Sequence, residues 1–224
     1  MTVEDGRNGE PILNAPPLTV CFSLILAGFW GFLQVAPQGW TLAALDTLAL
    51  FPPYFMALNS QPLSLDSVMT VGTVLTYTFV HLSFLHLLVN VGFLLAIGSM
   101  CERVLGRPRY VWLLLISAIA GGAVQLAADW GEAVVVYGAS GAVSGCLGAM
   151  VRIALAGRLR AARRFAIAML TVVVVTNLLM AVFGGAVFGV DTGVAWEAHL
   201  GGAAAGFLVG RPGRGRRTRV AEPG

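Results

Sequence analysis

Charged side chains are scarce in this chain of 224 residues, and lysine is absent altogether. Asp, Glu, Lys and Arg make up 11% of the residues, and hydrophobic residues make up 57%. A soluble domain usually carries about 25% charged residues, so this composition excludes an ordinary soluble fold. Because an open sheet leaves backbone groups unpaired in lipid, the expected fold class is an all-α membrane protein.

Cysteine and histidine are also rare. The three cysteines form no CxxC pair, which excludes a zinc-ribbon motif and a disulfide framework, and Cys146 is interpreted as a small buried thiol. The three histidines are His81, His86 and His199. A metal site is the alternative for them, but the five-residue spacing of the first two suits one-face ligation poorly, and no carboxylate lies nearby in sequence. No metal and no cofactor are therefore expected.

Six apolar segments approach the roughly 20 residues that a bilayer-spanning helix needs, the fourth and sixth being short. They cover residues 18–36, 75–99, 109–128, 138–156, 165–187 and 195–210. We expect a membrane domain over 18–210, an N-terminal segment over 1–17 and a basic tail over 211–224. The N-terminal segment lacks the basic region and the cleavage site of a signal peptide, so the first span is expected to be retained.

The arginines predict the orientation of these spans. All 14 basic residues are arginine, and the connections 37–74, 129–137 and 188–194 contain none. By the positive-inside rule both termini are expected in the cytoplasm, as in a multi-pass protein of the cell membrane. The Arg-only, Ala- and Gly-rich usage favours a bacterial inner membrane. The tail is expected to contact anionic lipid and not nucleic acid.

The sequence GASG places Ser140 between two glycines at the start of the fourth span. Gly138 and Gly141 permit a tight turn and close backbone approach, so Ser140 is expected in the first turn of a helix with its N–H free to bind an oxyanion. The alternative is a helix-capping serine that precedes a packing face of small residues.

His199 lies about one turn into the sixth span, within AHLGGAAAG. The predicted orientation brings it to the same outer side as Ser140, where a neutral imidazole is able to take the serine proton and return it to a leaving amine. Gly202 and Gly206 belong to the run of small residues that would let the fourth and sixth spans approach each other closely. No acidic residue is placed to orient His199, which leaves a Ser–His dyad. A purely structural histidine is the alternative.

His86 and Asn90 are four residues apart and therefore share one helix face near the outer end of the second span. Both are able to donate hydrogen bonds and would complete an oxyanion site beside the Ser140 N–H. His81 lies about 180° from Asn90 on a helix of 100° per residue. We therefore assign His81 to holding the outer loop.

In this order and spacing, the motifs HLSFLHLLVN, ERVLG, GASG and AHLGGAAAG resemble the rhomboid family of intramembrane serine proteases over about Val71 to Gly206. The resemblance implies a six-helix fold, Ser140 as nucleophile, His199 as base, and an oxyanion site from His86, Asn90 and the Ser140 N–H. It also implies single-span membrane proteins as substrates, cut near the outer membrane surface.

Two positions depart from the pattern of many family members. Gly72 and Thr73 occupy the aligned positions of a Trp-Arg pair in the outer loop, and Ser144 replaces an aromatic residue that would pack under the catalytic histidine. These departures motivate an alternative, a non-catalytic membrane protein that binds client transmembrane helices. A small transporter is a third possibility, but the spans lack the paired charges at mid-depth that it predicts.

Overall fold

The computed structural model describes residues 15–58, 64–156 and 195–211, together with isolated helical positions between 164 and 179. Within these residues the regular structure is helical, and extended pairing is limited to one isolated antiparallel bridge between Leu50 and Val136. The expected all-α class is thus confirmed for the described part of the chain.

The regular structure of the described residues is a series of helices. In chain order they are α1 Pro17–Val35, α2 Gln38–Leu48, α3 Pro52–Leu58, α4 Leu65–Thr76, α5 Phe84–Phe93, a π-helical turn Leu94–Gly98, α6 Ser99–Leu105, α7 Arg107–Ala128, α8 Ser140–Ala156 and α9 Trp196–Val209. The segments α5, π turn and α6 form one continuous helix, Phe84–Leu105.

Three of the described helices are long and apolar enough to cross a membrane: α1, Phe84–Leu105 and α7. The apolar α8 has 17 residues and α9 has 14, so both are shorter than these three helices. The predicted fifth span, 165–187, lies largely outside the described residues, as do most of the two terminal segments. The described helices are those of a membrane protein, whatever the full number of spans.

The predicted boundary of the second span was wrong. Residues 75–99 do not form one helix, because α4 ends at Thr76, a 3-10 turn follows at Tyr77–Phe79, and residues 80–83 are not helical. The helix restarts at Phe84, where the Ser83 hydroxyl accepts a hydrogen bond from the His86 N–H at 3.2 Å. Such a side-chain cap stabilises a helix start that hydropathy alone does not reveal.

Helix α8 is the centre of the bundle, since 12 of its 17 residues are buried. It packs antiparallel to α7, with Gly121 against Gly141 and Ser117 against Gly145. It packs parallel to α9, where the glycine pairs 141/202 and 145/206 repeat every four residues. Small residues on every face allow α8 to be covered from several directions at once.

Backbone touches backbone between α8 and α9. A Cβ atom added to Gly202 would lie 2.0 Å from the Gly141 carbonyl oxygen, and one added to Gly206 would lie 1.9 Å from the Gly145 carbonyl oxygen. Only glycine fits at these two positions without moving a helix. This contact fixes the distance between the helix that starts at Ser140 and the helix that carries His199.

The described parts of the long connection 37–74 are folded into α2, α3 and the start of α4, and they lie against the segment that leads to Ser140. The Thr76 hydroxyl donates to the Leu48 carbonyl at 2.9 Å, and Leu50 pairs with Val136 through hydrogen bonds of 3.0 and 2.9 Å. Leu50, Phe55, Tyr77 and Val136 form a buried cluster beneath this layer.

At the opposite end of the bundle, the ERVLG motif supplies a cap for α1. The Glu102 side chain is 4% exposed and accepts hydrogen bonds from the Thr19 N–H at 2.8 Å, the Thr19 hydroxyl at 2.9 Å and the Leu18 N–H at 3.2 Å. A carboxylate at a helix N-terminus satisfies free N–H groups and interacts favourably with the helix dipole. Glu102 therefore joins α1 to α6.

Candidate active site

Ser140 is the first residue of α8 and is half-buried. The turn before it is held by two backbone donors: the Gly138 N–H bonds to the Tyr77 carbonyl at 2.9 Å, and the Ala139 N–H bonds to His81 Nε2 at 3.3 Å. Because the first N–H groups of a helix have no partner within it, the Ser140 N–H is directed out of the helix start.

His86 covers this turn. Gly138 has a φ of +115°, and a Cβ added there would lie 2.5 Å from His86 Cε1 and 2.7 Å from Nε2. Glycine is therefore required at position 138 both by its backbone conformation and by the imidazole packed on it. The His86 ring centroid lies 5.8 Å from that of Tyr137. The His86 ring therefore packs on Gly138, which precedes Ser140 by two residues.

Asn90 lies one turn after His86 on the same helix and is 3% exposed. Its Nδ2 donates to the His86 carbonyl at 2.9 Å. This bond fixes the orientation of the side-chain amide and uses one of its two N–H groups.

His81 lies in the non-helical link 80–83, so the helical-wheel argument for its position does not apply. The ring is 1% exposed and lies between the Ala139 N–H and the Phe79 carbonyl, 3.4 Å from Nδ1. A backbone N–H only donates, so Nε2 is the acceptor and Nδ1 carries the proton. His81 therefore ties its own loop to the turn before Ser140.

His199 is the fourth residue of α9 and is 7% exposed. Its neighbours bring it to α8: a Cβ added to Gly141 would lie 3.6 Å from the Ala198 carbonyl, and Gly202 touches the Gly141 carbonyl directly. No hydrogen bond joins the Ser140 hydroxyl to His199 within the described part of the chain, and catalytic hydrogen bonds often form fully only with substrate bound.

Two residues near the site were given no part in it by the sequence reasoning. Gln125, at the end of α7, is bonded to the first turn of α9, through Glu197 and the Ala198 N–H. Tyr77 gave no signal; its hydroxyl donates to the Ala118 carbonyl at 3.0 Å and lies against Gly121 and Gly141. The adjacent glycines 121 and 122 were the signal in the sequence that could have predicted a large side chain packed on α7, because two neighbouring glycines in a helix leave room for one.

The positions that depart from the motif pattern have other environments. An added Cβ on Gly72 would meet nothing within 4 Å, and Thr73 is buried with its hydroxyl bonded to the Thr70 carbonyl at 2.6 Å. Ser144 is buried in α8. Among the described residues, the connection 37–74 is held to its neighbours by the Thr76–Leu48 bond and the Leu50–Val136 bridge.

A hydroxyl at a helix start, a buried imidazole on the helix packed against it, and side-chain and backbone donors together suit nucleophilic acyl transfer. The described ranges contain no group of three or more His, Cys, Asp or Glu residues that could hold a metal ion.

Comparison with known proteins identifies the fold family. The Rhomboid domain family model matches residues 69–215. Three relatives match about 60% of the chain: Rhomboid protease GluP of Bacillus subtilis (strain 168), 31% identical over 136 residues, and RHOMBOID-like proteins 1 and 4 of Arabidopsis thaliana, 35% identical over 135 residues and 37% over 137. The matched parts cover 24%, 32% and 32% of those proteins, so the chain corresponds to a quarter to a third of their length.

Proposed function

Because the chain belongs to the rhomboid family, we propose that it is an intramembrane serine endopeptidase that hydrolyses peptide bonds through a Ser140–His199 dyad. The observation that carries the proposal is the contact between α8 and α9. It brings Gly141, the residue after Ser140, close to Ala198, the residue before His199. One of the relatives, Rhomboid protease GluP, is a protease by name.

In the proposed reaction the Ser140 hydroxyl attacks the scissile carbonyl carbon while His199 accepts its proton. The carbonyl oxygen becomes an oxyanion that His86, Asn90 and the Ser140 N–H stabilise by hydrogen bonds. His199 then donates the proton to the leaving amine, and an acyl-enzyme remains on Ser140. Water, deprotonated by His199, hydrolyses this ester and regenerates the serine.

The remaining parts of the proposal concern the membrane. We place six spans in the bilayer of the bacterial inner membrane with both termini in the cytoplasm, as the arginine distribution favours. The site then lies near the outer surface, and single-span membrane proteins are the substrates. A substrate helix must partly unwind there, since a helical peptide bond is shielded from attack.

The test uses a fluorophosphonate probe on the purified protein in detergent, with the adduct located by mass spectrometry. Wild type is expected to label at Ser140, and both Ser140→Ala and His199→Ala are expected to lose labelling while keeping the wild-type elution profile. Labelling of Ser140 that is undiminished in His199→Ala would contradict the dyad. Cleavage of a transmembrane substrate by Ser140→Ala at the wild-type rate would contradict the endopeptidase.

A second candidate function is the non-catalytic binder of transmembrane helices. It is favoured by the environments of Gly72, Thr73 and Ser144, none of which supplies the aromatic or basic group seen in many family members. This candidate predicts a folded wild type that does not label, and client binding that survives loss of both Ser140 and His199.

A further inference from the structure

Gln125 is a buried polar side chain that lies between two helices and two carboxylates. It is 2% exposed. Its Nε2 donates to Asp129 Oδ2 at 2.6 Å and to Glu197 Oε2 at 3.2 Å, and its Oε1 accepts from the Ala198 N–H at 2.9 Å. Because carboxylates accept and a backbone N–H donates, only one orientation of the amide satisfies all three contacts.

These contacts replace a cap that α9 lacks. Its N-cap residue, Ala195, makes no side-chain capping bond. The first N–H groups of a helix need partners from outside the helix, and Gln125 provides one from α7 to the Ala198 N–H. Glu197, in the first turn, adds a negative charge where the helix dipole favours it. The residue that follows the capped N–H is His199.

Position and rotation of α9 are therefore fixed by different contacts. The glycine contacts with α8 set how closely the two helices approach each other. Hydrogen bonds are directional, so the two bonds that join Gln125 to Glu197 and to the Ala198 N–H resist rotation of the first turn of α9. On a helix about 10 Å across, a rotation of about 10° moves a side-chain tip by roughly 1 Å.

We propose that Gln125 is a positioning residue, a cross-helix cap that sets the rotation of α9 and so directs the His199 imidazole at Ser140. This inference rests on the proposed protease function. It makes the geometry of the dyad depend on an amide in a third helix, in place of an acidic residue that orients the base. Asp129 and Glu197 act through Gln125 by fixing its orientation.

The experiment measures the labelling of Ser140 by a fluorophosphonate probe and separates the maximal rate, kinact, from the apparent affinity, KI. Since a displacement of about 1 Å can lower a rate about 100-fold, Gln125→Met is expected to lower kinact by at least about 10-fold with KI unchanged. Gln34→Met, on an exposed position of α1, is the matched control and should label like wild type.

A polarity-inverted variant tests the bonds themselves and guards against misfolding of Gln125→Met. Gln125→Glu combined with Asp129→Asn and Glu197→Gln puts a carboxylate at the centre and amide donors around it, and the Ala198 N–H keeps its acceptor. It is expected to restore kinact to the wild-type range, whereas a role in stability alone would leave kinact of any folded variant unchanged.

The outcomes separate the two proposals. Wild-type labelling that depends on Ser140 and His199, together with unchanged kinact in folded Gln125→Met, would overturn the positioning role and leave the protease function intact. A reduced kinact that the inverted variant fails to restore would also overturn it. A folded wild type that does not label would overturn both.

Discussion

Replacing Gly202 by alanine adds a single methyl group where the backbones of α8 and α9 touch. The new Cβ would lie 2.0 Å from the Gly141 carbonyl oxygen, a separation that real Cβ atoms essentially never show. The opposing atom belongs to the backbone, so no side-chain rotation relieves the overlap. The helices themselves have to separate.

The size of the effect follows from that separation. Reaching an ordinary carbon–oxygen contact requires a displacement of about 1 Å or more. Overpacking of this kind typically costs about 1–3 kcal/mol in the free energy of unfolding. Gly202 lies one turn after His199, so the imidazole moves with it, and a displacement of about 1 Å is expected to lower the labelling rate of Ser140 about 100-fold.

The assay combines fluorophosphonate labelling with unfolding by SDS in mixed micelles. Gly31→Ala is the matched control, since the added Cβ meets nothing within 4 Å in the middle of α1, and removal of a helix glycine is expected to stabilise by up to about 1 kcal/mol. Gly148→Ala is the second control. Its Cβ would lie 2.0 Å from the Ala203 carbonyl, in the same interface but two turns from Ser140.

Three results are expected together. Gly202→Ala loses both stability and labelling, Gly148→Ala loses stability with a smaller loss of labelling, and Gly31→Ala loses neither. If Gly202→Ala unfolds and labels like Gly31→Ala, the backbone contact between α8 and α9 does not exist in solution and the reasoning is refuted.

Three further predictions concern other contacts. Glu102→Ala removes the cap of α1 and should lower the free energy of unfolding by about 1.5–3 kcal/mol or more, because hydrogen bonds to a charged acceptor are lost. The folded protein should still label normally. A stability equal to that of wild type would contradict the cap. Gly138→Ala puts a side chain on a residue with a φ of +115° and against His86. It should lower the free energy of unfolding by about 1–3 kcal/mol and slow the labelling of Ser140. Normal labelling would refute the packing of the His86 ring on this turn. Tyr77→Phe removes one hydrogen bond and should destabilise by about 0.5–1.5 kcal/mol, measured by the same SDS titration; no loss would show that its hydroxyl is unbonded.

Much of the site follows from local sequence because its parts are local. The glycines around Ser140 predict a turn into a helix, and the structure starts α8 at Ser140. The spacing of His86 and Asn90 predicts a shared face, and both lie on α5 one turn apart. Helical periodicity and glycine conformation are short-range properties, so a single sequence is enough to read them.

The sequence did not reveal where the helix of the second span starts, because that start depends on a side-chain cap to which hydropathy is insensitive. The helix that carries His86 starts at Phe84 because Ser83 caps it, whereas the apolar run continues through the break without a change of composition. His81 was consequently assigned by a helical wheel to which it does not belong. Its hydrogen bond to the Ala139 N–H joins residues 58 positions apart.

By itself, the sequence determined the solvent, the helical class and the identity of the candidate reacting groups, because composition and periodicity act locally along the chain. Tertiary structure alone decided which helices meet and how closely. Three such contacts each join residues more than 50 positions apart: the contact of Gly141 with Gly202, the cap that Glu102 gives to α1, and the cross-helix cap that Gln125 gives to α9. Such contacts exist only once the bundle has assembled, since backbone approach and hydrogen-bond direction are properties of two helices and not of either one.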